Sequence, residues 1–513
     1  MSWRKYRVLR LFIEIFVFFL IFLSFFKFFP GFFKNIPGRI QIIPLMISIS
    51  GERAILSIFI LIGFLILTIV FGRVYCSFLC PLGFSQDVLI RFWKKTRKKR
   101  RFKYNPSFKK LRLLILVLVI LSLISGSFYF VESLDPFSLF GKGVTYIFKP
   151  LLVLINNSAD LLLRKLDIYS LSEMDYPKIH FMNLIPFILI LGLIFLFTME
   201  KGRLYCNTVC PLGTFLGLFS NRSVFRINID NNSCTSCGLC EAVCKAGCID
   251  SKNKRVDESS CIRCFNCLSV CPTNAINYVP FPWIEKRNAR IEKKKGISRR
   301  RFISYLASLI GFTGLNFFFR RNNYLDSEIP PTPPGSRSLD RYLQKCTACY
   351  RCVNNCPTNV LQPSLFQYGI KGAFLPCMDF KSGFCEYECN ICSTVCPTDA
   401  LIPLTIDEKK EVQIGESYLR KDLCVVYSQN SDCGACAEIC PTKAVHMVPY
   451  KALLVAPEID SSLCVGCGAC ENVCPTEPRK AIIVKANIVH KKAEKSVPTI
   501  PEEKKKEIEG FPF

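Results

Sequence analysis

Histidine is scarce in this chain. Three occur in 513 residues, His180, His446 and His490. A haem held between helices by two histidines would find one candidate beside an apolar segment, His180, and no second. No Cys-x2-Cys-His run is present, which excludes an attached c-type haem. Acid is also short, with 40 Asp and Glu against 67 Lys and Arg. From Arg91 to Arg112 there are twelve basic residues and no acid. Nucleic-acid binding is one source of such an excess. It has no use for uncharged runs of 18 residues such as Ala54–Phe71, so no nucleic-acid partner is expected. Basic loops beside membrane helices account for both features.

What the chain has in abundance is cysteine, 30 residues in tight clumps. A disulfide scaffold belongs to short secreted chains and does not suit this length. Five stretches are candidates to cross a bilayer: Leu11–Phe26 (interrupted by Glu14), Ala54–Phe71, Leu113–Phe130, Phe181–Met199 and Phe302–Phe319. The predicted fold class is membrane α-helical, a four-helix N-terminal bundle plus a fifth helix, with two α+β ferredoxin-like polyferredoxin domains. The segment from Val131 to His180 carries five basic and six acidic residues and reads as an outer loop. The expected domains are 1–222 (membrane), 223–280 (cytoplasmic, two clusters), 281–320 (basic linker, twin-arginine-like motif and fifth helix), 321–338 (Pro-rich linker), 339–486 (periplasmic, four clusters) and 487–513 (disordered tail). The localisation that follows is the cytoplasmic (inner) membrane of a bacterium, with 223–280 inside and 321–513 outside.

Six cysteine runs carry ferredoxin spacing. A [4Fe–4S] cube takes four thiolates; a compact run gives three to one cube and its fourth Cys to another. In the first half, Cys234, Cys237, Cys240 and Cys271 are expected on one cluster, and Cys261, Cys264, Cys267 and Cys244 on the other. Cys248 is left over as a buried thiol. The second half holds Cys346, Cys349, Cys352 and Cys356; Cys385, Cys389, Cys392 and Cys396; Cys424, Cys433, Cys436 and Cys440; and Cys464, Cys467, Cys470 and Cys474. Cys377 is a spare that can stand in for Cys385. Zinc suits a single Cys-x2-Cys pair but not six such runs, most ending in Cys-Pro. Six [4Fe–4S] clusters are predicted.

Four further cysteines sit in a repeat. Residues 72–83 read GRVYCSFLCPLG and residues 202–213 read GRLYCNTVCPLG. Cys76, Cys80, Cys206 and Cys210 are candidates for an additional thiolate-bound metal or redox site; structural thiols are the alternative. Residues 298–304, SRRRFIS, resemble a twin-arginine export signal placed inside the chain.

With these motifs, residues 1–280 resemble the NapH-type membrane subunit of periplasmic nitrate reductase systems. Residues 298–485 resemble the NapG-type subunit, and the methylamine-utilisation ferredoxins share the organisation. By analogy with four-cluster polyferredoxins, the outer two runs of the second half exchange their fourth cysteine, Cys356 with Cys474, and the inner two exchange Cys396 with Cys440. The resemblance implies a membrane quinol dehydrogenase passing electrons from the quinone pool to a periplasmic reductase or cytochrome. Alternatives are an electron donor for maturation or reactivation of a periplasmic metalloenzyme, and a redox-sensing membrane protein. Glu14, Glu132, Asp135 and His180 are ionisable groups near membrane ends that could accept quinol protons, and Asp135 or His180 is expected to serve at the outer face.

Overall fold

The computed structural model describes residues 3–26, 36–51, 53–96, 102–106, 108–124, 128–176, 181–280, 329–451 and 454–494. The twin-arginine-like motif, the expected fifth helix and His180 lie outside them.

The N-terminal half is helical: α1 Trp3–Leu23, α2 Ala54–Phe71, α3 Pro81–Thr96, α4 Lys109–Ile124, α5 Pro136–Gly143, α6 Lys149–Arg164, α7 Phe181–Lys201 and α8 Pro211–Ser220. Helix α2 contains no charge, and it stops where Gly72 turns the chain at φ 84°. A Cβ there would meet the Arg263 guanidinium at 2.3 Å, so only glycine fits.

Among the described residues, three helical runs are long and apolar enough to cross a membrane: Ala54–Phe71, Pro136–Arg164 and Met182–Lys201. Two of the expected spans, Ala54–Phe71 and Phe181–Met199, are thus among the three, and Leu11–Phe26 and Leu113–Phe130 are not. Helix α1 starts eight residues before Leu11, and the described part of the third expected span is helical over Lys109–Ile124 and Tyr129–Leu134. The expected outer loop instead contains α5 and α6, joined without interruption by a π-helical turn, Val144–Phe148. Its charges hid it. Lys142 is buried and donates to the Glu132 carbonyl, and Arg164 pairs with Asp160 at 2.8 Å.

Two cysteine-rich units complete the fold. In the first, β1 (Phe225–Ile229) pairs antiparallel with β4 (Ile276–Pro280), and β2 (Ile249–Asp250) with β3 (Arg255–Val256). In the second, β5 (Leu361–Pro363) pairs with β6 (Pro376–Met378), β7 (Val412–Leu419) with β10 (Ile482–Lys492), and β8 (Val445–Lys451) with β9 (Leu454–Ile459). Two expected boundaries move. The tail does not begin at 487, because β10 stays paired with β7 through Lys492. Residues 329–338 are not a free linker: the Gly335 carbonyl accepts from Ile402 N, and Tyr368 Oη donates to the Pro331 carbonyl.

His490 pins this segment. Its Nε2 lies 2.9 Å from Thr332 Oγ1 and 3.2 Å from Ser336 Oγ. Burial holds its pKa down at about 4, whereas an unfolded histidine titrates near 6.5. Below about pH 6.5 the unfolded chain takes up a proton that the folded one refuses. Stability is therefore full above that pH and falls as pH drops toward 4, by on the order of 3 kcal/mol. His490→Asn should flatten the pH dependence of the second unit's melting temperature across this window; an unchanged slope would refute the assignment.

The two units dock at opposite ends of α1. At its start, Trp3 packs against Phe265 and Tyr278, and Arg7 donates to Ser269 Oγ. Just past its end, Arg351 and Asn355 of the second unit donate to the carbonyls of Ser24 and Phe25. Helix α1 has 21 residues, roughly 31 Å at ~1.5 Å per residue.

Candidate metal centres

The wrapping of each compact run is built into its backbone. In the four runs with two-residue spacers, the residues flanking the second cysteine both have positive φ: Ser236 and Gly238, Arg263 and Phe265, Ala348 and Tyr350, Gly466 and Gly468. Left-handed steps on either side of one cysteine curl the chain so that successive sulfurs face a common centre. After four of the Cys-Pro pairs the chain turns again through a positive-φ residue, Asn274, Asn359, Asp399 and Lys443.

In the first unit, Cys240 lies within electrostatic reach of Cys234 and Cys237. Cys267 has Cys264, Cys261 and Cys244 around it. Cys271 sits 3.7 Å from Thr273 Oγ1. Cys248 is not an isolated spare: its sulfur is 3.5 Å from that of Cys244, and its hydrogen bond holds the Cys261 thiol down at about 7. Lys245, standing where these runs usually have Pro, docks the unit. Its Nζ is 2.8 Å from Asp87 on α3, and its carbonyl accepts from Arg203 N.

In the second unit the expected exchange of fourth cysteines is overturned. Cys396 lies within electrostatic reach of Cys346, Cys349 and Cys352. Cys356 lines one cavity with Cys385, Cys389 and Cys392. Cys474 lines another with Cys424, Cys433 and Cys436, and Cys440 a third with Cys464, Cys467 and Cys470. Neighbouring runs therefore swap, first with second and third with fourth. Each pair is closed by its own hairpin, β5–β6 or β8–β9, which keeps the swap local. Cys385, rather than Cys377, lines the cavity shared by Cys356, Cys389 and Cys392. Cys377 is on β6, buried, and burial pushes its thiol up to about 12.

Sequence reasoning missed a set of hydroxyls. Five runs continue Cys-Pro-Thr, and each threonine Oγ1 returns to its cysteine sulfur: Thr273, Thr358, Thr398, Thr442 and Thr476, at 3.2–3.7 Å. Ser417 Oγ lies 3.4 Å from Cys464 Sγ and 3.3 Å from Cys470 Sγ. Hydrogen bonds to ligand sulfurs raise cluster potentials. The repeated Cys-Pro-Thr was the available signal.

The repeat cysteines Cys76, Cys80, Cys206 and Cys210 are all buried in one core between α2, α4 and α7. Among the described residues no three His, Cys, Asp or Glu converge tightly enough for a single metal ion. Asp135, expected as a proton acceptor, is instead the N-cap of α5, accepting from Phe137 N, Ser138 N and Ser138 Oγ. Glu132 is the carboxyl left free of such duty. It is fully buried, neither of its carboxyl oxygens has a hydrogen-bond partner, and burial pushes its pKa well above the carboxylate range.

Comparison with known proteins fits these centres. Residues 53–103 and 180–230 match a family described as a 4Fe-4S binding domain. Residues 226–272, 257–360 and 431–477 match families described as 4Fe-4S dicluster domains. The ferredoxin-type protein NapF of Escherichia coli is 32% identical over 135 residues, 26% of this chain and 73% of that protein. The chain belongs to the ferredoxin-type iron–sulfur proteins. The methylamine utilization ferredoxin-type protein MauM of Methylobacillus flagellatus is 28% identical over 191 residues, 36% of this chain and 77% of that one. An uncharacterized protein of Methanocaldococcus jannaschii is 25% identical over 201 residues, 38% of this chain, which spans 61% of that relative. This ferredoxin-type chain is thus an iron–sulfur electron-transfer protein, with multiple 4Fe-4S domains distributed along most of its length.

Proposed function

We propose that this ferredoxin-type protein is a transmembrane electron conduit, a NapH-like membrane half joined to a NapG-like four-cluster half. It oxidises membrane quinol and delivers electrons through six [4Fe–4S] clusters to a reductase or cytochrome on the outer face. One observation carries this reading: the two ferredoxin units contact opposite ends of α1, a 21-residue helix of the same helical half that holds the three apolar runs. The basic stretch from Arg91 to Arg112 joins the end that bears the two-cluster unit, since Arg112 donates to Ser259 and Ser260. Basic loops stay in the cytoplasm, so the four-cluster unit faces out. An electron moving from the negative inside to the positive outside gains ~2.3 kcal/mol per 100 mV.

The clusters would be held by the six thiol groups described above, and bound clusters supply reversible one-electron storage. Quinol gives up two electrons and two protons, so its site needs a base. Glu132 fits: it is buried, unpartnered, and sits beside the second unit, where Lys142 Nζ lies 4.3 Å from the Phe374 ring centroid. Burial raises its pKa, which makes the ionised carboxylate a stronger base.

The test is anaerobic reduction of membrane vesicles with a soluble quinol analogue, followed by electron paramagnetic resonance. Cluster signals should appear with quinol alone. Glu132→Gln should slow their appearance at least about tenfold with iron content unchanged. Reduction by a cytoplasmic ferredoxin and never by quinol would replace this reading with a role in metalloenzyme maturation.

A further inference from the structure

We infer that the cavity where α1, α3 and the two-cluster unit meet binds the phosphate headgroup of an anionic phospholipid. The site stands on the cavity's own residues; which leaflet supplies the lipid rests on the conduit reading above.

The cavity encloses about 430 Å³, within the roughly 300–1,000 Å³ of small-molecule sites. Its wall is one-sided in charge. Arg4, Arg7 and Arg10 come from α1, Arg91 from α3 and Lys245 from the two-cluster unit, and no Asp or Glu lines it among the described residues. Asp87 offsets Lys245, and Glu14 offsets Arg10. Arg4, Arg7 and Arg91 pair with no carboxylate among the described residues; Arg7 donates to Ser269 Oγ at 3.3 Å. Arg10 is the sharper sign. It is 2% exposed, and its Nε has no hydrogen-bond partner among the described residues. A buried donor left unpaired is costly, and an anionic oxygen in the cavity gives it a partner.

The donor types name the anion. Guanidinium groups are planar forks that match phosphate oxygens two at a time, and four of them come together here from two helices. The rest of the wall says what the phosphate is attached to. It is apolar, with Val8 and Leu11 of α1, Ile90 of α3, and Val243 and Val270 of the two-cluster unit. Inorganic phosphate has no use for such a wall; an acyl chain does. The apolar track continues along α1, where Val8, Phe12, Phe16 and Phe19 recur at helical spacing and are exposed. A headgroup among the arginines with its chain along that stripe is the arrangement of basic pockets beside membrane helices. The basic stretch from Arg91 to Arg112 puts this end on the cytoplasmic side, so the inner leaflet supplies the lipid.

The cavity also borders the cysteine loops. Val243 and Lys245 flank Cys244, Asn266 precedes Cys267, and Val270 precedes Cys271. A negative charge at this wall opposes the addition of an electron to a cluster held there and lowers its midpoint potential. The lipid therefore ties three elements together and tunes the inner clusters.

The experiment uses the full-length protein, purified anaerobically with its clusters and placed in nanodiscs of phosphatidylcholine alone or mixed with phosphatidylglycerol. Native mass spectrometry after release should show phosphatidylglycerol retained at least about tenfold over phosphatidylcholine. The midpoint potential of an inner cluster should be lower in the mixed discs. Arg4→Gln with Arg7→Gln and Arg91→Gln should abolish both effects with iron content unchanged; Arg10 is kept because it also holds Glu14. Lys103→Gln with Lys109→Gln and Lys110→Gln removes the same charge from exposed positions outside the cavity and should abolish neither. Equal retention of the two lipids by the wild type would overturn the proposal, and this comparison needs no variant to fold. Equal losses in the two triple variants would also overturn it, leaving only diffuse attraction to basic charge. Inorganic phosphate that displaces the lipid at equal concentration would reduce the cavity to a simple anion site. An acidic soluble ferredoxin that reduces the wild type faster than the arginine variant, with lipid retention equal in both, would reassign the arginines to protein docking. Phosphatidylglycerol retained by a protein that no quinol reduces removes the conduit and spares the site. Quinol reduction without lipid preference removes the site and spares the conduit.

Discussion

Cys396→Ala should strip the cluster of Cys346, Cys349 and Cys352 and leave that of Cys424, Cys433 and Cys436 in place. Iron should fall by about four per chain. Alkylation under native anaerobic conditions, located by mass spectrometry, should then mark Cys346, Cys349 and Cys352. Label on Cys424, Cys433 and Cys436 would restore the exchange between the inner runs. The effect should spread beyond iron. This cluster sits at the docking face, where the Cys349 carbonyl meets Gly141 and where Arg351 and Asn355 hold the end of α1. Its loss should therefore loosen the second unit from the helical half, read as faster proteolysis after Ser24. Cys474→Ala gives the complementary result, with label on Cys424, Cys433 and Cys436 and the docking face undisturbed.

Arg203→Met should be the most destabilising single change in the helical half. The guanidinium is fully buried, 2.8 Å from Asp87 and 3.5 Å from Glu14. Asp87 also holds Lys245 of the two-cluster unit, and Glu14 also holds Arg10. Removing one partner from such a buried network strands the others, a loss of about 3–5 kcal/mol. The measurement is thermal or denaturant unfolding of the detergent-solubilised protein. Lys410→Met, which breaks an exposed pair with Glu388, is the control and should leave the midpoint unmoved. Equal effects of the two would show that the network contributes nothing.

That network also explains Glu14, which reads in the sequence as an interruption of an apolar stretch. It is a buried ligand for two arginines. Lys245, which reads as a missing proline, is a docking residue. Both departures from pattern mark contacts between units far apart in the chain, and local pattern carries no information about such contacts. The helical run at 136–164 was hidden for a related reason. A count of charges treats each as solvated, whereas Lys142 and Asp160 are buried with partners.

The amino-acid order by itself determined the chemistry. Spacers of two residues between cysteines, with proline after the last, suffice to gather three sulfurs, because local backbone turns do the gathering. Uncharged runs of helical length were equally plain. What only the tertiary structure decided was every pairing across a loop: which fourth cysteine completes which group, Cys385 over Cys377, and the meeting of two half-motifs 130 residues apart. A flexible excursion closes at a cost that changes slowly with its length, so spacing alone does not say where it returns. The packed hairpins and buried arginines do.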